Sequence, residues 1–140
     1  MIRKFNIQDM DMVLNIWLEA SIQAHCFISR DFWESKVSDM RNIYIPNSET
    51  YVYEADGTVK GFIALHHNTV AALFVSPDSQ RQGIGTQLLE EAKSMIPNLN
   101  LTVYKANSNG IRFYRKCGFR VAKEQIDEHT GHPELLMIFP

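Results

Sequence analysis

The chain has 140 residues, 45% hydrophobic and 21% charged, which is the composition of a globular domain with a sizeable core. Its formal net charge of −2 gives no electrostatic reason to expect nucleic acid as a partner, because such binding requires a basic surface. No apolar stretch approaches the roughly 20 residues that cross a bilayer, and the N-terminus lacks the apolar segment of a signal peptide. Cys26 and Cys117 form no zinc-type spacing. We therefore expect a single domain over residues 1–140, cytoplasmic, with reduced thiols and no membrane contact.

Two hydrophobic periods alternate along the chain and predict a mixed α/β protein. Short apolar or alternating runs predict strands at residues 2–5, 51–54, 59–65, 70–75, 99–104, 119–122 and 135–139. Apolar residues three and four apart predict a helix behind the capping pair Asn6 and Asp9, a helix over 32–44, one from the glycines at 83 and 85 to Pro97, and one over 108–116. The order predicts a mixed, mostly antiparallel central sheet with helices on both faces.

The strand at residues 70–75 is almost wholly apolar, which is typical of a strand buried on both faces. It follows two strands joined by the Asp56-Gly57 turn, a strong hairpin signal. The three strands are therefore expected to form an antiparallel meander whose last member lies near the centre of the sheet.

The segment Gln80-Arg81-Gln82-Gly83-Ile84-Gly85-Thr86 follows that strand and begins the next helix. A helix N-terminus leaves backbone N–H groups without partners and carries about half a positive charge, so it favours an anion. Glycines let a phosphate approach the backbone, and Arg81 and Thr86 add a charge and a hydroxyl. The pattern is neither a Walker A loop nor a dinucleotide fingerprint. By itself it leaves open a strand-to-helix turn in which glycine only relieves strain.

A second pattern lies downstream: Asn107, then Ile111-Arg112-Phe113-Tyr114-Arg115-Lys116-Cys117-Gly118-Phe119. Together with Gln80-x-x-Gly83-x-Gly85, in this order and spacing, it resembles the two signatures of the GNAT superfamily of N-acetyltransferases. The resemblance covers essentially the whole chain and extends to small bacterial members, among them ribosomal-protein N-terminal acetyltransferases and lysine acetyltransferases of the YiaC type. It implies the GNAT fold, with a splay between the fourth and fifth strands, and the transfer of an acetyl group from acetyl-CoA to a primary amine in a ternary complex.

The resemblance also implies roles for individual residues. The backbone of Leu73, Phe74 and Val75 would bind the pantetheine arm and stabilise a developing oxyanion. The segment Arg81-Gln82-Gly83-Ile84-Gly85-Thr86 would hold the pyrophosphate. Asn107 would contact the cofactor near the splay, or cap the following helix, or do both.

Tyr114 matches the family tyrosine beside the thioester sulfur and would protonate or hydrogen-bond the departing thiolate. The alternative is an aromatic side chain in the core, next to Phe113. Thr102 stands where some family members carry a glutamate that acts as general base, and a threonine cannot serve there. Other candidates for the base, none of them assigned, are Glu54, His25, His66 and His67.

Two alternatives to an enzyme stay open at this point: a domain that binds acyl-CoA without turnover, and a different phosphate-binding protein. His129-x-x-His132 is not on a predicted helix and has no third ligand, so no metal is expected. The acceptor is expected to approach over residues 24–28, where Phe27 and Trp33 can wall a pocket or belong to the core. The acceptor amine and the choice between monomer and homodimer are not fixed by the sequence.

Overall fold

The computed structural model describes residues 1–140 and contains seven strands and four α-helices. The strands are β1 (Ile2–Lys4), β2 (Glu49–Ala55), β3 (Thr58–His66), β4 (Thr69–Val75), β5 (Leu99–Tyr104), β6 (Arg120–Ile126) and β7 (Pro133–Phe139). The helices are α1 (Met10–Ala24), α2 (Arg30–Asp39), α3 (Ile84–Met95) and α4 (Ser108–Lys116). A π-helical turn, Met40–Tyr44, continues α2, and none of the helices is both long and apolar enough to span a bilayer.

The helix starts follow from capping residues in the sequence. The Asn6 side chain accepts a hydrogen bond from the Gln8 N–H, and the Asp9 carboxylate accepts one from the Asn6 N–H. This confirms the predicted capping box, which sits on a 3-10 turn directly before α1. Ser29 caps α2, so that helix begins two residues before the predicted residue 32.

All seven strands form one sheet in the order β1-β2-β3-β4-β5-β7-β6, and only the β4–β5 pair is parallel. Successive residues of β3 point to opposite faces. Phe62 packs in a core with Trp17 of α1 and Trp33 of α2, whereas Ile63 packs in a second core with Leu88 of α3. Helices therefore cover both faces, and the predicted mixed, mostly antiparallel sheet is confirmed.

The fourth and fifth strands meet at only one register pair, Thr69 with Asn100, and diverge beyond it. The Thr69 hydroxyl donates to the Asn100 side-chain oxygen at 2.8 Å and fastens the closed end. The predicted splay is therefore present. The expectation that residues 70–75 are buried on both faces is wrong: Ala71 is exposed, and Leu73, Phe74 and Val75 are only half-buried, because β5 has diverged from this half of β4.

Candidate active site

A cavity of about 920 Å³ occupies the gap between the diverging strands β4 and β5. It passes from the face covered by α3 and α4 to the face covered by α1 and α2, since Tyr114 packs in one core and Tyr104 in the other. Of the residues predicted to bind the cofactor or to act in catalysis, only Gln82 lies outside its lining. The others line it: Leu73, Phe74, Val75, Arg81, Gly83, Ile84, Gly85, Thr86, Asn107 and Tyr114.

The loop before α3 is shaped by two left-handed residues, Arg81 with φ 65° and Gly83 with φ 81°. Gly83 is the N-cap of α3, and no side chain caps this helix, so its first N–H groups face the cavity without a protein acceptor. Gly85 is needed for packing, because a Cβ there would lie 3.3 Å from the Phe113 ring of α4. The loop therefore fits an anionic group, and glycine has a conformational as well as a steric reason to occupy it.

Gln80 holds the loop against the end of β4. Its side-chain amide donates to the Val75 carbonyl at 3.2 Å and to the Gln23 side chain of α1 at 2.9 Å. The first residue of the glycine motif thus ties the anion-binding loop to the open strand and to the opposite helix layer.

The exposed edge of β4 offers backbone groups to the cavity. The Ser76 N–H donates to the Lys60 carbonyl of β3 at 2.8 Å, and backbone bonding alternates along an antiparallel pair. Phe74, two residues earlier, therefore bonds towards β3, while the N–H groups of Leu73 and Val75 point into the gap. A pantetheine arm extended along β4 would bond to Leu73 and Val75, and Phe74 contributes only its side chain.

Asn107 is the N-cap of α4, where its side chain accepts the Gly110 N–H at 3.0 Å. The sequence-based alternative of a helix cap is therefore confirmed. The contact favours glycine at position 110, because a Cβ there would lie 2.5 Å from the Asn107 amide nitrogen. Asn107 also lines the cavity, so a contact with the cofactor stays a prediction compatible with its capping role.

Tyr114 extends from α4 into the cavity between Phe113 and Phe119. Burial, and after it the nearby Cys117 thiol, raises the pKa of its hydroxyl above the usual value for tyrosine. The hydroxyl is therefore protonated at neutral pH. The ring packs against the core and Tyr114 also lines the cavity, so the catalytic role stays a prediction that is compatible with this packing.

On the opposite face, an aromatic group surrounds the end of the cavity. His25 is 7% exposed and stacks on Trp33, with ring centroids 5.2 Å apart and an interplanar angle of 30°. The Tyr104 ring meets His25 edge-on at 5.1 Å. Trp33 lines the cavity as predicted, whereas Phe27 lies behind it and packs against Tyr104.

Two carboxylates, Asp127 and Glu134, complete this end of the cavity. Tyr104 Oη and Thr130 Oγ1 each donate to Asp127 Oδ2 at 2.7 Å. Burial by itself would raise the pKa of Asp127, but these hydrogen bonds outweigh it and lower the pKa below its usual value. Sequence reasoning missed this group, although Asp127, three residues before Thr130-Gly131, is a turn signal that could have indicated a strand end there.

Of the four candidates for a general base, only His25 lines the cavity. His25 and Thr102 line the cavity, whereas Glu54, His66 and His67 do not. Glu54 pairs with Arg3 at the far edge of the sheet. Burial lowers the pKa of the His25 imidazole to about 4, against a smaller opposing effect of the Ser21 backbone, so His25 is neutral and a weak base at pH 7. The structure contains no group of three residues arranged to hold a metal ion.

Comparisons with known proteins agree with this geometry. The family model for the acetyltransferase (GNAT) domain matches residues 46–121, which include β2 to β5, α3 and α4. The chain is 32% identical over 141 residues to the peptidyl-lysine N-acetyltransferase YiaC of Escherichia coli K12, covering 100% of this chain and 97% of YiaC. It is 29% identical over 141 residues to a spermidine N(1)-acetyltransferase of Thermoplasma acidophilum, covering 86% of this chain and 88% of that protein.

A third relative is known in sequence and structure. The peptidyl-lysine N-acetyltransferase YjaB of Escherichia coli K12 is 30% identical over 138 residues, covering 97% of this chain and 92% of YjaB. The solution structure of apo YjaB superposes with a TM-score of 0.87 at 27% identity, covering 99% of this chain and 96% of that one. The similarity therefore includes the complete sheet and both helix layers.

Proposed function

Because this chain belongs to the GNAT family of acetyltransferases and is an acetyl-CoA-dependent N-acetyltransferase, we propose that its acceptor is the side-chain amine of lysine in proteins or peptides. Two relatives that match nearly end to end, YiaC and YjaB, are named peptidyl-lysine N-acetyltransferases. The observation that carries the proposal is the cavity through the sheet, which has a basic, helix-terminal end and an acidic, aromatic end. A non-catalytic acyl-CoA-binding module is disfavoured by the family assignment.

The residues present fit acetyl-CoA on the α3 and α4 face. The uncapped α3 N-terminus and Arg81 match the charge of a pyrophosphate, and the edge of β4 presents Leu73 and Val75 to an extended amide-containing arm. Bound acetyl-CoA supplies a thioester that an amine attacks, with release of the CoA thiol. One continuous cavity can hold donor and acceptor together, which supports direct transfer in a ternary complex without an acylated enzyme.

The chain's own contribution to the reaction is positioning, hydrogen bonding and movement of one proton. The N–H of Leu73 or of Val75 points into the gap, which supports a role as donor to the carbonyl oxygen of the acyl group. The Tyr114 hydroxyl is protonated, so it can hydrogen-bond or protonate the sulfur as the thiolate leaves, and the proton released by the acceptor amine restores the hydroxyl through solvent. Thr102 is not a base and His25 is a weak one, so the proton of the acceptor amine goes to solvent, directly or by way of the cavity-lining carboxylates Asp127 and Glu134.

Acceptor class is tested by CoA release with matched substrates. A peptide with a blocked N-terminus and one free lysine is expected to turn over, and the same peptide with acetyl-lysine is not. Two other substrates test the competing acceptor classes: a lysine-free peptide with a free N-terminus, and spermidine. Mass spectrometry locates the product acetyl group. Preferential turnover of the free N-terminus or of spermidine contradicts a lysine acceptor.

A cytoplasmic location and a monomeric or homodimeric state stay predictions of the sequence. Light scattering during gel filtration measures the oligomeric state, and fractionation of the source cells measures the location.

A further inference from the structure

Two half-buried carboxylates at the acceptor end of the cavity have no cationic partner. Asp127 receives its hydrogen bonds from neutral donors: the hydroxyls of Tyr104 and Thr130 and the His129 backbone N–H. Glu134 receives one from the Gln125 amide at 2.6 Å. The ion pairs of the protein involve neither residue. The hydrogen bonds keep Asp127 charged without pairing it to a cation, so this end of the cavity can attract a positively charged ligand.

An independent feature lies beside them. His25 is 7% exposed and lines the cavity, and its Nδ1 has no hydrogen-bond partner. A buried ring nitrogen is normally satisfied, so this one marks the same end of the cavity as incomplete without a ligand.

The walls of this end suit an alkylammonium group. Trp33 and Tyr104 flank His25 and line the cavity, so they offer apolar surface that can cover the methylene groups of a ligand. His25 is neutral at pH 7, because burial lowers its pKa to about 4, and it therefore does not repel a cation. Carboxylates, aromatic faces and a neutral imidazole together match a primary ammonium on an unbranched chain.

We propose that Asp127 and Glu134, with Tyr104 orienting Asp127 and with His25 and Trp33 as walls, form the subsite that selects and holds the cationic acceptor. The inference rests on the proposed function and deepens it, because a lysine side chain and a polyamine share this chemistry. It assigns specificity to residues on the face opposite the acetyl-CoA loop.

Binding is tested without turnover by nuclear magnetic resonance on the full chain saturated with CoA. Titration with n-butylammonium chloride is expected to shift the Tyr104 ring and the amides of Asp127 and Thr130, whereas uncharged n-butanol is not. The double variant Asp127→Asn/Glu134→Gln is expected to weaken butylammonium binding at least about tenfold, the effect of losing charge-assisted hydrogen bonds.

The matched control is Glu124→Gln/Glu128→Gln, which has the same net charge and alters neighbouring carboxylates outside the cavity. It is expected to bind butylammonium like the unmodified protein. Equal weakening in both double variants, or equal shifts with butylammonium and butanol in the unmodified protein, overturns the subsite. The second comparison needs no variant and therefore does not depend on folding of the mutant.

Kinetics separate this inference from the proposed function. With lysine peptide and with spermidine as acceptors, Asp127→Asn/Glu134→Gln is expected to raise acceptor KM about tenfold while acetyl-CoA KM changes less than about twofold. Turnover of spermidine alone, with KM raised in the variant, rejects the lysine acceptor and supports the subsite. Turnover of the lysine peptide with acceptor KM unaffected supports the proposed function and rejects the subsite.

Discussion

The two ends of the cavity differ in how the chain builds them. The donor end is made by a continuous segment, residues 80–86, and we propose that its backbone at Gly83 and the α3 N-terminus binds the pyrophosphate. The acceptor end is assembled from side chains far apart in sequence, such as His25, Tyr104 and Asp127. Backbone groups supply a generic anion site, whereas separated side chains can vary independently. The comparison suggests why one fold keeps one donor and changes its acceptor.

The largest expected effect is a fall in kcat, which reports the chemical step and not substrate binding. Tyr114→Phe removes only a hydroxyl, and we expect kcat to fall roughly a hundredfold or more, with acetyl-CoA KM and stability nearly unchanged. Steady-state CoA release and thermal unfolding measure these quantities. Tyr104→Phe also removes one tyrosine hydroxyl, but at the acceptor end, where Asp127 loses a hydrogen bond. We expect it mainly to raise the acceptor KM. Unchanged kcat in Tyr114→Phe removes this tyrosine from the mechanism.

The buried His25 makes the stability of the acceptor end depend on pH. The unfolded histidine has a pKa of about 6.5 and the folded one of about 4, so the unfolded state binds more protons between these values. Stability from this group is fully present above pH 6.5 and is lost as the pH falls to 4. Between pH 7.5 and pH 5 the loss is about 2 kcal/mol.

Urea unfolding at the two pH values measures that loss. His25→Gln is expected to reduce the difference by this amount, whereas His66→Gln, at an exposed position outside the cavity, is expected to keep it. The same pH dependence in the parent and in His25→Gln contradicts the assignment.

Arg81 tests whether the donor end needs a side-chain charge in addition to the helix terminus. Arg81→Asn removes the charge, and asparagine tolerates the left-handed conformation with φ 65°. We expect acetyl-CoA KM to rise roughly tenfold and acceptor KM to stay constant. Gln82→Ala, next to it but outside the cavity lining, is the control. A rise in acceptor KM alone would reverse the assignment of the two ends.

The smallest expected effect concerns backbone conformation at the donor end. Gly83→Ala forces a side chain into the left-handed region, which costs roughly 1–2 kcal/mol. Gly57→Ala, in the β2–β3 turn with φ 74°, imposes the same strain away from the cavity. Both are expected to lower the melting temperature similarly, and only Gly83→Ala to raise acetyl-CoA KM. Equal KM values in the two variants would mean that the loop backbone does not bind the donor.

Much of the fold was predictable because local signals agree with the tertiary structure. The bounds of β5 and α4 are those predicted, residues 99–104 and 108–116, since each is delimited by its own turn and capping residues. The burial of β4 was mispredicted because an apolar strand has the same pattern whether a neighbour covers it or a cavity does. β4 lacks a neighbour there because β5 diverges from it, and no local sequence pattern indicates where two strands diverge.

The sequence by itself determined the family, the donor and the loop from Gln80 to Thr86, because glycine conformation and a helix terminus are local properties. It also showed that Asn107 and Tyr114 follow this loop at the spacing of the second family signature. Only the tertiary structure decided that the cavity passes through the sheet, that Leu73 and Val75 rather than Phe74 offer backbone groups, and that Asp127, Glu134 and His25 line one cavity. These features depend on strand pairing and on contacts between distant residues, so they arise only when the sheet is assembled.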